Sequence, residues 1–173
     1  MAGATARLVA GFCWPWSDPE ASGELVDDVV VGDWRMPWNA RGERGRLAKG
    51  IPSSDFWASD PGGIDQVGCV YTAQGFEFDY VGVIFGRDLV YRPGVGWVGQ
   101  PEESKDRFVS SKQVSREQFA DYAKAVYRVL LTRGLRGCYV HFIDPQTRDF
   151  VLSRLERRSV RLAQAAETAV DYQ

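Results

Sequence analysis

Histidine is nearly absent: His141 is the only one in 173 residues. It lies in an apolar run that reads as a strand, which suits a structural imidazole better than a catalytic base. Ser/His/Asp hydrolysis therefore has no support. No G-x-x-x-x-G-K-[ST] phosphate loop occurs, and Lys49-Gly50 runs in the reverse order. Without that lysine and an acidic Mg²⁺-binding motif, the sequence offers a triphosphate no cradle. Cysteine is limited to Cys13, Cys69 and Cys138; they are far apart, odd in number, set among apolar residues and without a C-x-x-C pair, so reduced core thiols are expected rather than a disulfide framework or a metal site. No apolar run approaches the ~18 residues of a membrane helix, and the start lacks a charged-then-apolar leader with a cleavage site. A cytoplasmic protein that meets no membrane is the expectation. Positive charge is not in excess: the formal net charge is -2, so no global field draws in a polyanion, although a local groove could still be basic.

What is present is a globular composition, 45% hydrophobic and 25% charged, at a length that supports one domain with its own core. The outliers are 6 Trp and 18 Gly. Arg7 to Trp14 (RLVAGFCW) reads as a strand buried on both faces. Leu25 to Gly32 gives a second extended run, and residues 33 to 64 read as irregular, with turns at Pro52, Pro61, Gly62 and Gly63. Asp65 to Tyr71 and Tyr80 to Phe85 read as short buried strands around a polar junction, and Leu89 to Val98 as a hairpin excursion. A polar loop at 99 to 114, where Glu102, Glu103 and Asp106 offset Lys105, Arg107 and Lys112, is expected to be flexible and not a site. Ser115-Arg116-Glu117-Gln118 is a capping box, and Phe119, Tyr122, Ala123, Val126 and Leu130 recur at helical spacing until Gly134 supplies a left-handed stop. Leu135 to Ile143 reads as a strand, and Pro145 opens a last helix whose apolar stripe weakens beyond about residue 157. Strands alternating with helices predict an α/β layer structure with a mostly parallel sheet flanked by helices.

Two stretches carry chemistry. The first is Tyr71-Thr72-Ala73-Gln74-Gly75-Phe76-Glu77-Phe78-Asp79, in the junction between two strands. Gly75 lets backbone N–H groups approach an anion, Gln74 offers a donor and an acceptor, and Glu77 can accept from sugar hydroxyls. Ligands of open parallel sheets gather at the carboxyl ends of strands, where this junction is expected. The plainer alternative is a turn at Gly75 with Glu77 in solvent. The second stretch is Tyr127-Arg128-Val129-Leu130-Leu131-Thr132-Arg133-Gly134. Its spacing from Val129 and Leu130 sets Arg133 on the rim of the buried helix face. A planar guanidinium there suits a transferring phosphoryl group, or it neutralises the helix dipole. Trp14, Trp16, Trp34 and Trp38 could stack bases, with packing under the irregular segment the preferred reading. Arg41, Arg44, Arg46 and Lys49 either track phosphates or are solvated surface.

Q-G-x-E-x-D followed by a helix ending in L-T-R resembles motifs V and VI of superfamily 1 helicases. With GFCWPWSDP, VVVGDWRMPWN, DPGGIDQVGCVYTAQGFEFDYVGVIFG and YRVLLTRGLRGCYVHF, the chain resembles the Schlafen group 3-type DNA/RNA helicase domain family over about residues 6 to 156. The resemblance implies the second, C-terminal RecA-like domain of a P-loop NTPase motor. Gly75 and Glu77 would face the phosphate and ribose of ATP, and Arg133 would be the arginine finger. Tyr71 and Thr72 would stand where related motors touch single-stranded DNA or RNA, and Gln74 would couple the two ligands. Many such motors have His at the position of Tyr71, which leaves stacking as the contact here. The Mg²⁺ would be held by an N-terminal RecA-like domain missing from this chain, which itself would bind no metal.

The aromatic-arginine motif IV of the family is unmatched by Met1 to Arg7. The chain is therefore expected to begin inside the second RecA-like domain, as a fragment or a truncated paralogue, with residues 1–156 forming the partial domain and 157–173 a helical tail. Inactivity toward ATP on its own is expected. The alternative is a stand-alone, non-catalytic module derived from a helicase that binds nucleic acid or protein. A carbohydrate-binding module, suggested by the Trp and Gly content, fits the capped helix poorly.

Overall fold

The computed structural model describes residues 5–41, 46–111 and 113–170, with side chains through residue 158. Arg44 and Lys112 lie outside the described residues. The elements run β1 (Ala6–Ala10), β2 (Val29–Val31), β3 (Trp34–Met36), β4 (Val67–Gly68), α1 (Val70–Ala73), β5 (Phe78–Phe85), β6 (Leu89–Arg92), β7 (Gly96–Gly99), α2 (Arg116–Leu131), β8 (Gly134–Phe142) and α3 (Pro145–Val170). Four of them form one sheet in the order β4-β1-β5-β8, and every pairing in it is parallel. The fold is α/β and RecA-like, as the alternation of elements predicts. Each parallel connection needs a crossover, and α1 and α2 lie in two of them; β2–β3 and β6–β7 are antiparallel hairpins outside the sheet.

Apolar residues at alternate positions of β5 explain the burial of both faces. Val81, Val83 and Phe85 turn to a core shared with Phe119, Ala123, Tyr127 and Leu130 of α2, and Phe85 stacks on Tyr127 with centroids 3.7 Å apart. Ile84 turns to a second core with Ala10, Val29, Trp38 and Val67. Phe12, Trp14 and Trp16 pack around Trp38 in that core. Packing therefore accounts for most of the tryptophan content, Trp57 included, which is fully buried.

The structure departs from the sequence expectations in four places. Only Val67–Gly68 of the stretch 65–71 is strand, and Tyr71 sits on the helical turn α1. The segment 33–64 is not wholly irregular, because Trp34–Met36 pairs with β2 and Pro61–Asp65 forms a 3-10 turn. Gly134 is not a left-handed stop: α2 ends at Leu131 with Thr132 at φ -100°, ψ 8°. Gly134 instead opens β8, where a Cβ would collide with the Gly137 carbonyl. The polar loop is fastened: Lys105 N–H donates to Phe12 O at 2.7 Å and Ser110 N–H to Asp106 O at 3.0 Å. The capping box is present, Ser115 Oγ accepting from Gln118 N–H while Gln118 Oε1 accepts from Ser115 N–H. Residue 157 falls inside α3, which runs on to Val170. No helix among the described residues is long and apolar enough to cross a membrane.

Candidate functional site

The two chemistry-bearing stretches meet at the amino edge of the sheet. α1 carries the chain from the carboxyl end of β4 to the amino end of β5, so Tyr71 and Thr72 lie near the first edge while Gln74, Gly75, Phe76 and Glu77 lie at the other. The expectation of a junction wholly at carboxyl ends is thus corrected; the reason is that a single helical turn sits inside it. Gln74 closes that turn, its N–H donating to Val70 O at 3.0 Å, and Phe76 N–H returns to Ala73 O at 3.2 Å. Gly75 has φ +89°, a left-handed conformation that glycine adopts without steric cost, and the space around its Cα is open. Gln74 and Glu77 are exposed.

Arg133 comes to this corner from the end of α2. Its Nη1 donates to Phe76 O at 3.1 Å, its Nε to Val129 O at 3.0 Å and its Nη2 to Thr132 Oγ1 at 3.2 Å. All three acceptors are neutral, and among the described residues no carboxylate pairs with the guanidinium. Its charge is therefore uncompensated beside an open glycine backbone, the arrangement an anionic ligand requires. Asp79 is committed elsewhere: Thr5 N–H donates to it at 2.8 Å and Arg136 pairs with it at 3.1 Å. The Thr5 N–H, and then the Arg136 charge, hold its carboxyl below the usual range.

At the opposite edge, Tyr71 is 54% exposed and its hydroxyl donates to Asp106 Oδ2 at 2.6 Å. Burial, and then the Asp106 carboxylate, push the phenol up, so it stays a donor. Thr72 Oγ1 accepts from Cys69 N–H at 3.0 Å and bonds to Asn39 Oδ1 at 3.1 Å, so its hydroxyl holds the start of α1. Sequence reasoning missed Asp106, which is buried and organises this corner; the alternation of bases and an aromatic in Lys105-Asp106-Arg107-Phe108 was the available signal. A groove of ≈ 650 Å³ is lined here by Phe12, Trp16, Arg41, Tyr71, Lys105 and Phe108 among others.

Beneath the neighbouring carboxyl ends, Tyr127 Oη donates to buried Asp88 Oδ1 at 2.6 Å and accepts from Gly86 N–H at 2.8 Å. Burial pushes the Asp88 carboxyl up, although the Tyr127 hydrogen bond opposes this. Cys69 is buried, Cys13 is half-buried and Cys138 is exposed on β8, outside the core position expected of it; desolvation pushes all three thiols up.

The family model described as Schlafen group 3, DNA/RNA helicase domain, matches residues 1–144, and the chain belongs to that family. It is 38% identical over 101 residues to the uncharacterized protein YPL245W of Saccharomyces cerevisiae. That alignment covers 56% of this chain but spans only 22% of the yeast protein's length. No solved structure matches the chain.

Proposed function

We propose, with that membership as premise, that the chain is the second motor half of an ATP-dependent DNA or RNA helicase-type protein. Gly75 and Glu77 form its motif V contact to nucleotide, and Arg133 is its motif VI arginine finger. The observation that carries this reading is the Arg133 Nη1 to Phe76 O contact, which joins residues 57 apart in sequence into one corner. The residues fit a nucleotide: the open backbone at Gly75 admits an oxygen-rich anion, the exposed Glu77 carboxylate has no partner among the described residues and can take sugar hydroxyls, and Arg133 can exchange neutral acceptors for charged ones. Bound ATP supplies a γ-phosphoryl group whose transfer spreads negative charge over its oxygens. Arg133 would stabilise that charge, a role that supplies a factor of about 10³–10⁵ in phosphoryl-transfer enzymes that use an arginine finger. A first RecA-like domain would bring the phosphate loop and the Mg²⁺ carboxylate. Tyr71 and Thr72 face single-stranded DNA or RNA in this reading, and Gln74, which closes the turn between the two edges, couples strand to nucleotide.

The test is a ¹⁵N–¹H NMR titration of the 173-residue chain with MgATP. Shifts concentrated at the amides of Gln74 to Glu77 and of Thr132 and Arg133, and lost in Arg133→Ala, are expected. Shifts confined to the carboxyl edge, or unchanged in Arg133→Ala, overturn the assignment.

A further inference from the structure

We infer that the open edge of β8 pairs with the same edge of a second copy of this chain, antiparallel about a two-fold axis at Tyr139, so that two sheets join into one. This goes beyond the motor-half reading and does not depend on it.

The backbone sets the kind of occupant. β8 stands at the end of the sheet order, with β5 as its one neighbour. The N–H and C=O of one strand residue point to one edge, and those of the next residue point to the other. Ile143 N–H donates to Phe85 O at 3.0 Å, and the register with β5 is regular from Gly137 to Phe142. Counting back by twos, His141, Tyr139 and Gly137 face β5, while Cys138 and Val140 turn their N–H and C=O outward. Among the described residues no strand receives them. Such a row of unpaired groups is a template for another strand. The side chains leave it open, Leu135 being 66% and Tyr139 70% exposed.

Spacing and charge decide whose strand it is. Cys138 and Val140 stand one residue either side of Tyr139. Reversing the strand about Tyr139 sets Cys138 of one copy opposite Val140 of the other, so all four outward N–H groups and all four outward carbonyls find partners. Tyr139 then meets its own copy in the closer, non-hydrogen-bonded position, where an aromatic pair across strands adds stability. Tyr80, with its ring 6.4 Å from Tyr139, widens the apolar patch on that face. An axis two residues earlier, at Gly137, would draw the irregular stretch between Gly134 and Gly137 into the ladder. The one arginine of β8, Arg136, is paired with Asp79 at 3.1 Å, so two copies bring no unpaired like charges together along the strand. A foreign strand would need to match this pattern, whereas a second copy does so by symmetry. The contact involves fewer residues than the roughly 20–30 a side of a standard interface, so association is expected in the micromolar range.

The experiment is sedimentation velocity of the 173-residue chain over a concentration series, with the fold of each variant checked by circular dichroism. The sedimentation coefficient is expected to rise from monomer to dimer with concentration. Tyr139→Lys removes the rise, whereas Val95→Lys, at another exposed apolar residue (76% exposed) on the β6–β7 turn, keeps it. A cross-link reads the register independently of Tyr139→Lys. Val140→Cys sets a thiol opposite Cys138 of the second copy with Cα atoms about 5.5 Å apart, within disulfide range, so mild oxidation yields a covalent dimer on a non-reducing gel. The unaltered chain, whose two Cys138 residues are offset along the strands, yields little. A chain that stays monomeric throughout the series, or a dimer that persists in folded Tyr139→Lys, overturns the inference. Cross-linking of the unaltered chain as efficient as that of Val140→Cys overturns the axis at Tyr139.

Discussion

Arg133 closes the corner between α2 and the junction with both side chain and backbone: Nη1 donates to Phe76 O at 3.1 Å, and the Arg133 carbonyl accepts from Phe78 N–H at 2.8 Å. Lysine cannot reproduce the fork that reaches Phe76, Val129 and Thr132 together. Arg133→Lys and Arg133→Ala should each cost about 1 kcal/mol of stability, the net worth of such bonds at a half-buried site. Urea titration checks this, and both variants should lose the MgATP response at Gly75.

Hydrolysis is a separate matter. The 173 residues contain no phosphate loop, so the chain by itself should release no phosphate from ATP above the no-protein background. A steady rate that survives repurification and vanishes in Arg133→Ala would contradict the division of labour proposed above.

Gly75 and Gly68 should respond differently to alanine. At Gly75, φ is +89° but nothing crowds a Cβ, so Gly75→Ala costs only backbone strain, about 1–2 kcal/mol. At Gly68 a Cβ would enter the Trp57 ring, and a well-packed core absorbs such an insertion at about 1–3 kcal/mol or more. Chemical denaturation should also show the Trp57 environment disturbed in Gly68→Ala alone.

Buried Asp88 gives a pH signature. Its carboxyl is raised by burial, so as pH passes the ordinary carboxylate range, near 4, the unfolded chain releases a proton that the folded chain keeps. Stability then falls with rising pH until the folded group ionises. Asp88→Asn removes this slope, and its stability relative to the parent should increase between pH 4 and pH 7 in thermal melts.

Asp144 has the opposite sign. Burial alone would raise it, but hydrogen bonds from Arg92 and Thr147 outweigh burial and hold it below the usual range. Arg92 grips both oxygens, at 2.9 and 3.0 Å, while Thr147 N–H donates at 2.8 Å at the start of α3. The contribution is complete above the ordinary carboxylate range and is lost as pH falls through the folded value. Asp144→Ala should cost about 1–2 kcal/mol at pH 7 and progressively less in acid, by the same melts.

Much of this was legible in the chain. Ser115 and Gln118 specify the start of α2 through local hydrogen bonds, and the continuous apolar run from Tyr80 to Phe85 announces a buried strand. The pairing of Gln74-Gly75-Phe76-Glu77 with Arg133 was legible as two motifs in order. That Tyr71 and Thr72 stand at the other edge from Gln74 to Glu77 was not legible, because α1 is too short for periodicity to reveal. Asp106 was hidden for another reason: in the sequence it offsets Lys105 and Arg107, and only burial against Tyr71 makes it an organiser.

The sequence by itself determined the α/β alternation, the family and the residue types at the corner between Gly75 and Arg133, since each is written in local spacing. The tertiary structure decided what the corner consists of. The Arg133 to Phe76 contact, the Tyr71 hydroxyl on the Asp106 carboxylate, and the burial of Trp38 and Trp57 all depend on chain segments brought together by the fold. Distances between such segments are set by packing, which no local pattern records.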